Sequence, residues 1–254
     1  MPIEREGWRT PAQASLRLIA AGVVLLTVYE SLGTIIAAIG QPPRDRWILA
    51  AERCLFGGAI PPLAPMHLPA WIVDAFSIVY VVYFALPVIL LTVLVRRGWL
   101  HEARAAMRIL LVAYYMHYAI YLVVPAVGPI RAAEVAPDVR AQLLSAGGAV
   151  THGVRLGISV LERTRQDAFP SAHASIAIII AVLAQRHRVR GRTLFAIVAV
   201  AIMCGTVVLG YHYIVDVIAA LPVAVCSCSL RLKTDRGRRS ESPRRSLTRG
   251  WRAI

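Results

Sequence analysis

The chain has 254 residues, 57% of them hydrophobic and 17% charged, with a mean hydropathy of +0.61. A soluble domain keeps about 25% of its residues charged, so long apolar stretches broken by arginine clusters argue against a soluble enzyme and for a membrane protein. The formal net charge of +14 lies between apolar spans and in a tail from Arg231 to Arg252. That distribution argues against nucleic acid as a partner and for retention at the cytoplasmic leaflet.

Six stretches are apolar enough to cross a bilayer as helices, at residues 16–39, 70–95, 107–124, 169–184, 193–210 and 211–230. The fourth and fifth are short but flanked by charge, and Pro87 and Pro222 fall inside spans, where neighbouring helices can satisfy the freed backbone groups. The first span is too long for a signal-peptide core and no cleavage site follows it, so it is expected to stay in the mature protein. Residues 47–56 read as a short interfacial helix, with Trp47, Ile48, Leu49 and Leu55 available to lipid. A proline-rich stretch over 60–69 leads into the second span. The long segment 126–168 reads as a loop carrying a surface helix near 139–144.

Arginine sets the orientation. Arg96, Arg97, Arg104 and Arg108 flank the second connection, and Arg186, Arg188, Arg190 and Arg192 fill the fourth. With the tail, these mark the cytoplasmic side. The expected fold class is therefore all-α: a polytopic membrane protein of six transmembrane helices with both termini cytoplasmic. One membrane domain covers residues 1–230, and a basic tail over 231–254 is expected to be disordered. Cys54, Cys204, Cys226 and Cys228 form no CxxC pair, so neither a disulfide framework nor a zinc site is indicated, and they read as small core residues.

Chemistry concentrates at the expected outer ends of two spans. Asp216 stands in an otherwise apolar run, where an unpaired carboxylate costs about 2.5–3.5 kcal/mol at a helix centre. His212, four residues earlier, shares its helix face in this reading. A carboxylate accepting from one ring nitrogen would fix the tautomer and leave the other nitrogen free to attack. A buried polar pair that holds helices together is the plainer reading. Phe169-Pro170-Ser171-Ala172-His173 opens the fourth span from the same side. Proline suits a first helical turn, and the free amides there form an anion site to which Ser171 adds a hydroxyl.

The run Ala168-Phe169-Pro170-Ser171-Ala172-His173, followed by Tyr211-His212-Tyr213-Ile214-Val215-Asp216, resembles the type 2 phosphatidic acid phosphatase superfamily. Within it, the sequence is most similar to the inositol phosphorylceramide synthase branch; Tyr29-Glu30 and Leu55-Phe56-Gly57-Gly58 add to that likeness. The resemblance implies a phosphotransferase or phosphatase of lipid phosphates that works without a metal or other cofactor, in the cell membrane, with its site facing outward. His212 falls on the nucleophile that forms a phosphohistidine, Asp216 on the residue that orients it, His173 on the acid for the leaving oxygen, and Ser171 on the phosphate-binding serine. Where the family's phosphatases carry a Ser-Arg pair, Gly205 and Thr206 stand here. Their lysine and Arg-Pro motif is also missing. Only Pro129-Ile130-Arg131 occupies a comparable place, which makes Arg131 the leading phosphate clamp. These departures favour transfer to an acceptor, a lipid alcohol or an inositol, over hydrolysis. The implied partners are a phospholipid or other lipid phosphate and the surrounding membrane lipids.

Glu30 and His117 are ionisable residues inside spans, where pairing between helices accounts for them as well as a pocket does. Arg155, Arg163 and Arg165 precede the serine motif, and headgroup contacts account for them equally. Two other classes remain open at this level. Two histidines and a carboxylate can make a metal triad, and Asp216 with Glu30 could form the proton path of a transporter or channel. A lipid or polyprenyl pyrophosphate phosphatase is the alternative within the enzyme class.

Overall fold

The computed structural model describes residues 10–56, 68–162 and 164–240, with the backbone alone for 230–240. Among these residues there are nine α-helices and no strand: α1 (Pro11–Ile39), α2 (Asp45–Leu55), α3 (Ala70–Arg96), α4 (Leu100–Val123), α5 (Pro137–Ser145), α6 (Ala149–Leu161), α7 (Ala172–Arg186), α8 (Arg192–Val208) and α9 (Ile214–Ser240). Gly57, Gly58, Arg163, most of the 60–69 stretch and residues 241–254 lie outside the described residues.

Three helices, α1, α3 and α4, are long and apolar enough to cross a membrane, and α6 to α9 include shorter apolar stretches. α1 begins with Thr10 accepting from the Gln13 amide and Pro11 at its first position, and it ends at Gly40, whose φ is +71°. Along it, Leu16, Ile19, Val23 and Leu26 are all more than half exposed. A helix with that much apolar surface outside the core needs hydrocarbon as its solvent. α4 starts at Leu100, seven residues before the apolar span, so Arg104 and Arg108 lie within the helix.

α7 is the central helix. Ile176, Ala177, Ile179, Ile180 and Leu183 are buried in one core with Leu90 and Leu94 of α3 and Ile109, Leu110 and Ala113 of α4. α7 starts at Ala172 rather than Phe169, because the Ser171 side chain caps it by accepting from the Ala174 amide at 3.2 Å.

Several expectations need correction. Ile48 and Leu49 do not face lipid: they are buried against Ala126, Ala168 and Tyr213, and of the four apolar residues expected to meet lipid Trp47 and Leu55 are the exposed ones. The segment 126–168 contains α6 as well as α5. A tertiary contact caps α6: the Asp74 carboxylate on α3 accepts from the Gly148 and Thr151 amides and the Thr151 hydroxyl, at 2.8, 3.0 and 2.6 Å. Cys54, Cys204 and Cys226 are exposed and so are not core residues, whereas Cys228 is half-buried and packs against the main core.

Candidate active site

Two turns bring the chemistry together. α8 ends through Gly210, at φ +75°, and the amides of Tyr211 and His212 both donate to the Thr206 carbonyl at 3.1 Å. Residues 211–213 are a turn and α9 begins only at Ile214. His212 therefore stands before the helix rather than on its face, while Asp216 lies in the first turn. The second turn, 126–131, packs against the first. Ile130 donates to the Gly210 carbonyl at 2.9 Å. Gly128, at φ +76°, lies so close that a Cβ there would stand 2.2 Å from the Tyr211 carbonyl oxygen.

α2 clamps both turns with two buried acids. Asp45 accepts from the Val127 and Gly128 amides, each at 2.9 Å, and from the Tyr213 hydroxyl at 3.3 Å. Glu52 accepts from the Ile214 and Val215 amides at 3.1 and 2.9 Å, which caps the start of α9. The two helix starts are joined directly, because the Ser171 amide donates to the Asp216 carbonyl at 3.0 Å.

Within this frame the His212 Nδ1 is 2.8 Å from the Ala168 carbonyl oxygen. A carbonyl only accepts, so Nδ1 carries the proton, and in the neutral ring Nε2 keeps its lone pair. Nε2 faces the His173 Nδ1 at 3.4 Å, a long approach for a hydrogen bond. Asp216 was expected to accept from His212. Its Oδ2 instead accepts from the Tyr213 amide at 2.7 Å and stands 3.6 Å from the His212 Nδ1. The single Nδ1 proton is committed to the shorter contact, so Asp216 acts on the ring through its field. Its Oδ1 is buried without a hydrogen-bond partner, as is the His173 Nε2.

Besides that long contact with His212, His173 is held by aromatic rings. Its centroid is 4.5 Å from Tyr80 and 4.2 Å from Tyr83, and Phe84 meets it edge-on at 6.0 Å. The Ser171 oxygen accepts from the Ala174 amide, and a hydroxyl that accepts still has its own proton to donate.

Arg131 is half-buried in the 126–131 turn, and its charge acts on Glu162, Asp167 and Tyr211. Asp167 takes a 2.7 Å hydrogen bond from the Tyr29 hydroxyl. Burial pushes the Asp167 carboxyl up, against that bond and the charges of His212 and Arg131. Burial, with Asp167 adding, raises Glu162 to about 7. Arg155 does other work: it donates to the carbonyls of Leu143, Leu144 and Ala146 at 2.7, 2.7 and 3.0 Å, capping α5. Arg165 is exposed. His117 is buried, with its Nε2 bonded to the Ser175 hydroxyl, and Glu30 borders a shallow concavity on α1.

Sequence reasoning missed Tyr80, Tyr83 and Phe84, whose i, i+3, i+4 spacing was the available signal, and Asp45 and Glu52, two acids seven residues apart on one amphipathic helix. Among the described residues no group of three or more His, Cys, Asp or Glu side chains is arranged to hold a metal ion.

No curated protein and no solved structure matches the chain. A family model described as the PAP2 superfamily matches residues 46–230, which include His173, His212, Asp216, Ser171 and Arg131. That match covers more than half of the chain, and the protein belongs to the PAP2 superfamily.

Proposed function

We propose that the protein is a membrane enzyme that transfers the phosphoryl group of a lipid phosphate through a phosphohistidine at His212, most like an inositol phosphorylceramide synthase-type phosphotransferase. Superfamily membership supports phosphatase or phosphotransferase chemistry in general. The observation that carries the finer reading is the pairing of the His212 Nε2 with the His173 Nδ1 at 3.4 Å, with the His212 Nδ1 tied to a main-chain carbonyl. One ring thereby presents a lone pair and the other a proton position, side by side where α7 and α9 begin.

In this reading the His212 Nε2 attacks phosphorus as the bond from phosphorus to the leaving oxygen breaks. A protonated His173, favoured by the arriving phosphate charge, gives that oxygen its proton. His173 then takes a proton from the acceptor hydroxyl, which attacks the phosphohistidine and frees His212. Ser171, the α7 amides and Arg131 hold the phosphoryl oxygens. The phosphatase arginine is replaced by Thr206 and the site adjoins apolar helices, which favours an alcohol arriving through the membrane over water. No metal has a step in this scheme, so EDTA should leave turnover unchanged.

We read α7, α8 and the apolar part of α9 as three further crossings, giving six, with both termini cytoplasmic and the site outward. The arginine distribution supports this, and the buried position of α7 accounts for its shortness. In a cysteine-free background, Asp138→Cys should react with an impermeant thiol reagent on intact cells and Ser242→Cys should not; the reverse pattern puts the site in the cytoplasm. The reaction is tested on purified protein given phospholipid with labelled phosphate and a panel of ceramide, diacylglycerol and inositol acceptors. Labelled lipid should form faster than free phosphate or free phosphorylated headgroup. Hydrolysis products alone across the panel would make the protein a lipid-phosphate phosphatase.

A further inference from the structure

The acid of the proposed reaction must carry a proton at the moment of transfer, and a buried imidazolium is costly unless something answers its charge. A carboxylate is the common answer. None stands there. Among the described residues, the polar contact of His173 is the 3.4 Å approach of its Nδ1 to the His212 Nε2, and its Nε2 is buried without a hydrogen-bond partner. The titratable rings whose charge acts on it, His212 and His117, bring no negative charge.

What surrounds it is a set of rings from α3. The Tyr80 ring lies 4.5 Å from the imidazole centroid and within 23° of parallel, so one ring face meets the other. The Tyr83 ring is 4.2 Å away and tilted by 40°, too close for an edge contact. Both fall inside the distance of about 6 Å at which a cation is drawn to the negative face of an aromatic ring. Phe84 adds a third ring, edge-on at 6.0 Å. Tyr80 and Tyr83 are almost wholly buried, and each is itself held. Tyr80 packs against Tyr211 at 4.8 Å, and the Tyr83 hydroxyl is 3.1 Å from that of Tyr114. Their i, i+3, i+4 spacing lets one helix present all three rings.

We propose that Tyr80 and Tyr83 are positioning residues that hold His173 in its cationic form until the leaving oxygen takes its proton. The proposal rests on the reading of His173 as the acid. Aromatic cages hold quaternary ammonium ligands by the same attraction. A ring also has an advantage over a carboxylate in this place. It attracts the imidazolium through its quadrupole but carries no net charge, so it does not repel the phosphoryl oxygens that bind beside it. The proton balance is that of the reaction above. The proton leaves His173 with the departing alcohol or phenol, and the neutral imidazole then takes one from the acceptor hydroxyl. The tyrosine hydroxyls have no part in this, because the attraction comes from the ring face.

The test measures single-turnover release of the leaving group by the full-length protein from decyl phosphate and from 4-nitrophenyl phosphate. An alkoxide needs the proton of the acid to depart, and nitrophenolate does not. His173→Ala should therefore be slowed far more on the decyl ester than on the nitrophenyl ester. Equal slowing would remove His173 as the acid, and this proposal with it. Given that asymmetry, Tyr80→Leu and Tyr83→Leu should each slow the decyl ester by about thirtyfold, the scale of a desolvated cation–ring contact. The nitrophenyl ester should slow by less than about threefold. Tyr80→Phe and Tyr83→Phe keep the ring and should recover most of the loss. Equal slowing of both esters by leucine would show a displaced histidine rather than an uncharged one and overturn the proposal. Phenylalanine variants as slow as the leucine ones would overturn it too. Should the leucine variants not fold, phenylalanines bearing one, two and three fluorines at position 83 keep the shape of the ring and drain charge from its face. The logarithm of the decyl rate should then fall steadily with each fluorine, and a flat series would overturn the proposal.

Discussion

Gly128→Ala probes whether the 126–131 turn positions the reacting groups. Gly128 sits at φ +76°, and a Cβ there would lie 2.2 Å from the Tyr211 carbonyl oxygen, 3.0 Å from its carbon and 3.4 Å from the Ala168 Cβ. The left-handed backbone alone costs alanine about 1–2 kcal/mol. The contact must then open by about 1 Å to reach ordinary van der Waals distance. That movement separates the Arg131 turn from the two segments that hold the His212 ring, Tyr211 beside it and Ala168 as its hydrogen-bond acceptor. Misplacement of about 1 Å lowers a rate by about a hundredfold. Gly98→Ala is the matched control: Gly98 has φ +73° and nothing within 4 Å of a Cβ. Thermal unfolding and kcat on a lipid phosphate should be measured for both. The control should lose only the backbone cost and keep its activity, whereas Gly128→Ala should lose more stability and about a hundredfold in kcat. Equal activity in the two variants would refute the argument that this turn sets the site.

His212→Ala should abolish turnover and acid-labile labelling from a labelled lipid phosphate while the protein stays folded; near-normal turnover rules out the phosphohistidine. Asp216→Asn should lower kcat by about a hundredfold rather than the ten-thousandfold of a lost tautomer, because the Ala168 carbonyl still holds the Nδ1 proton. Arg131→Lys should lower kcat/KM by about tenfold, since a point charge does not reproduce a planar fork, and Arg165→Lys should change nothing; equal tolerance removes Arg131 from the site. Glu162 supplies a pH test. An acid raised from 4.5 to about 7 stabilises the fold fully below the lower value and loses that contribution as the pH rises through the upper one. Wild-type Tm should therefore fall relative to Glu162→Gln between about pH 5 and pH 8, and parallel profiles would show that Glu162 is not buried beside Asp167.

The division of labour between His212, Asp216 and Ala168 bears on the mechanism. Asp216 stands at i+4 from His212, the spacing that suggests a direct pair on a helix. The chain does not become helical until Ile214, so the Asp216 carboxylate turns back to cap its own helix at Tyr213. The ring nitrogen finds a carbonyl 44 residues earlier in the chain. The tautomer is set by main chain, and the carboxylate contributes charge.

Local chemistry was enough to show a helical membrane chain, because apolar runs and arginine clusters report solvent preference residue by residue. It also singled out Asp216, a costly residue inside an apolar run, and the helix near 139–144, whereas His173, Ser171 and His212 became candidates through the motif resemblance. The partners those residues take were decided by tertiary structure. α6 carries glycines at 153 and 157 and gained its cap from Asp74 on another helix. Ile48 and Leu49 looked lipid-facing on an isolated amphipathic helix, but α2 turned that side inward, where Asp45 and Glu52 serve the backbone amides of two distant turns. The tyrosines around His173 read as ordinary span residues until α3 was placed beside α7. Hydrophobicity is a property of a residue, so composition reveals it. A hydrogen bond is a property of a pair, and which distant carbonyl, amide or ring completes it is settled only when the helices pack.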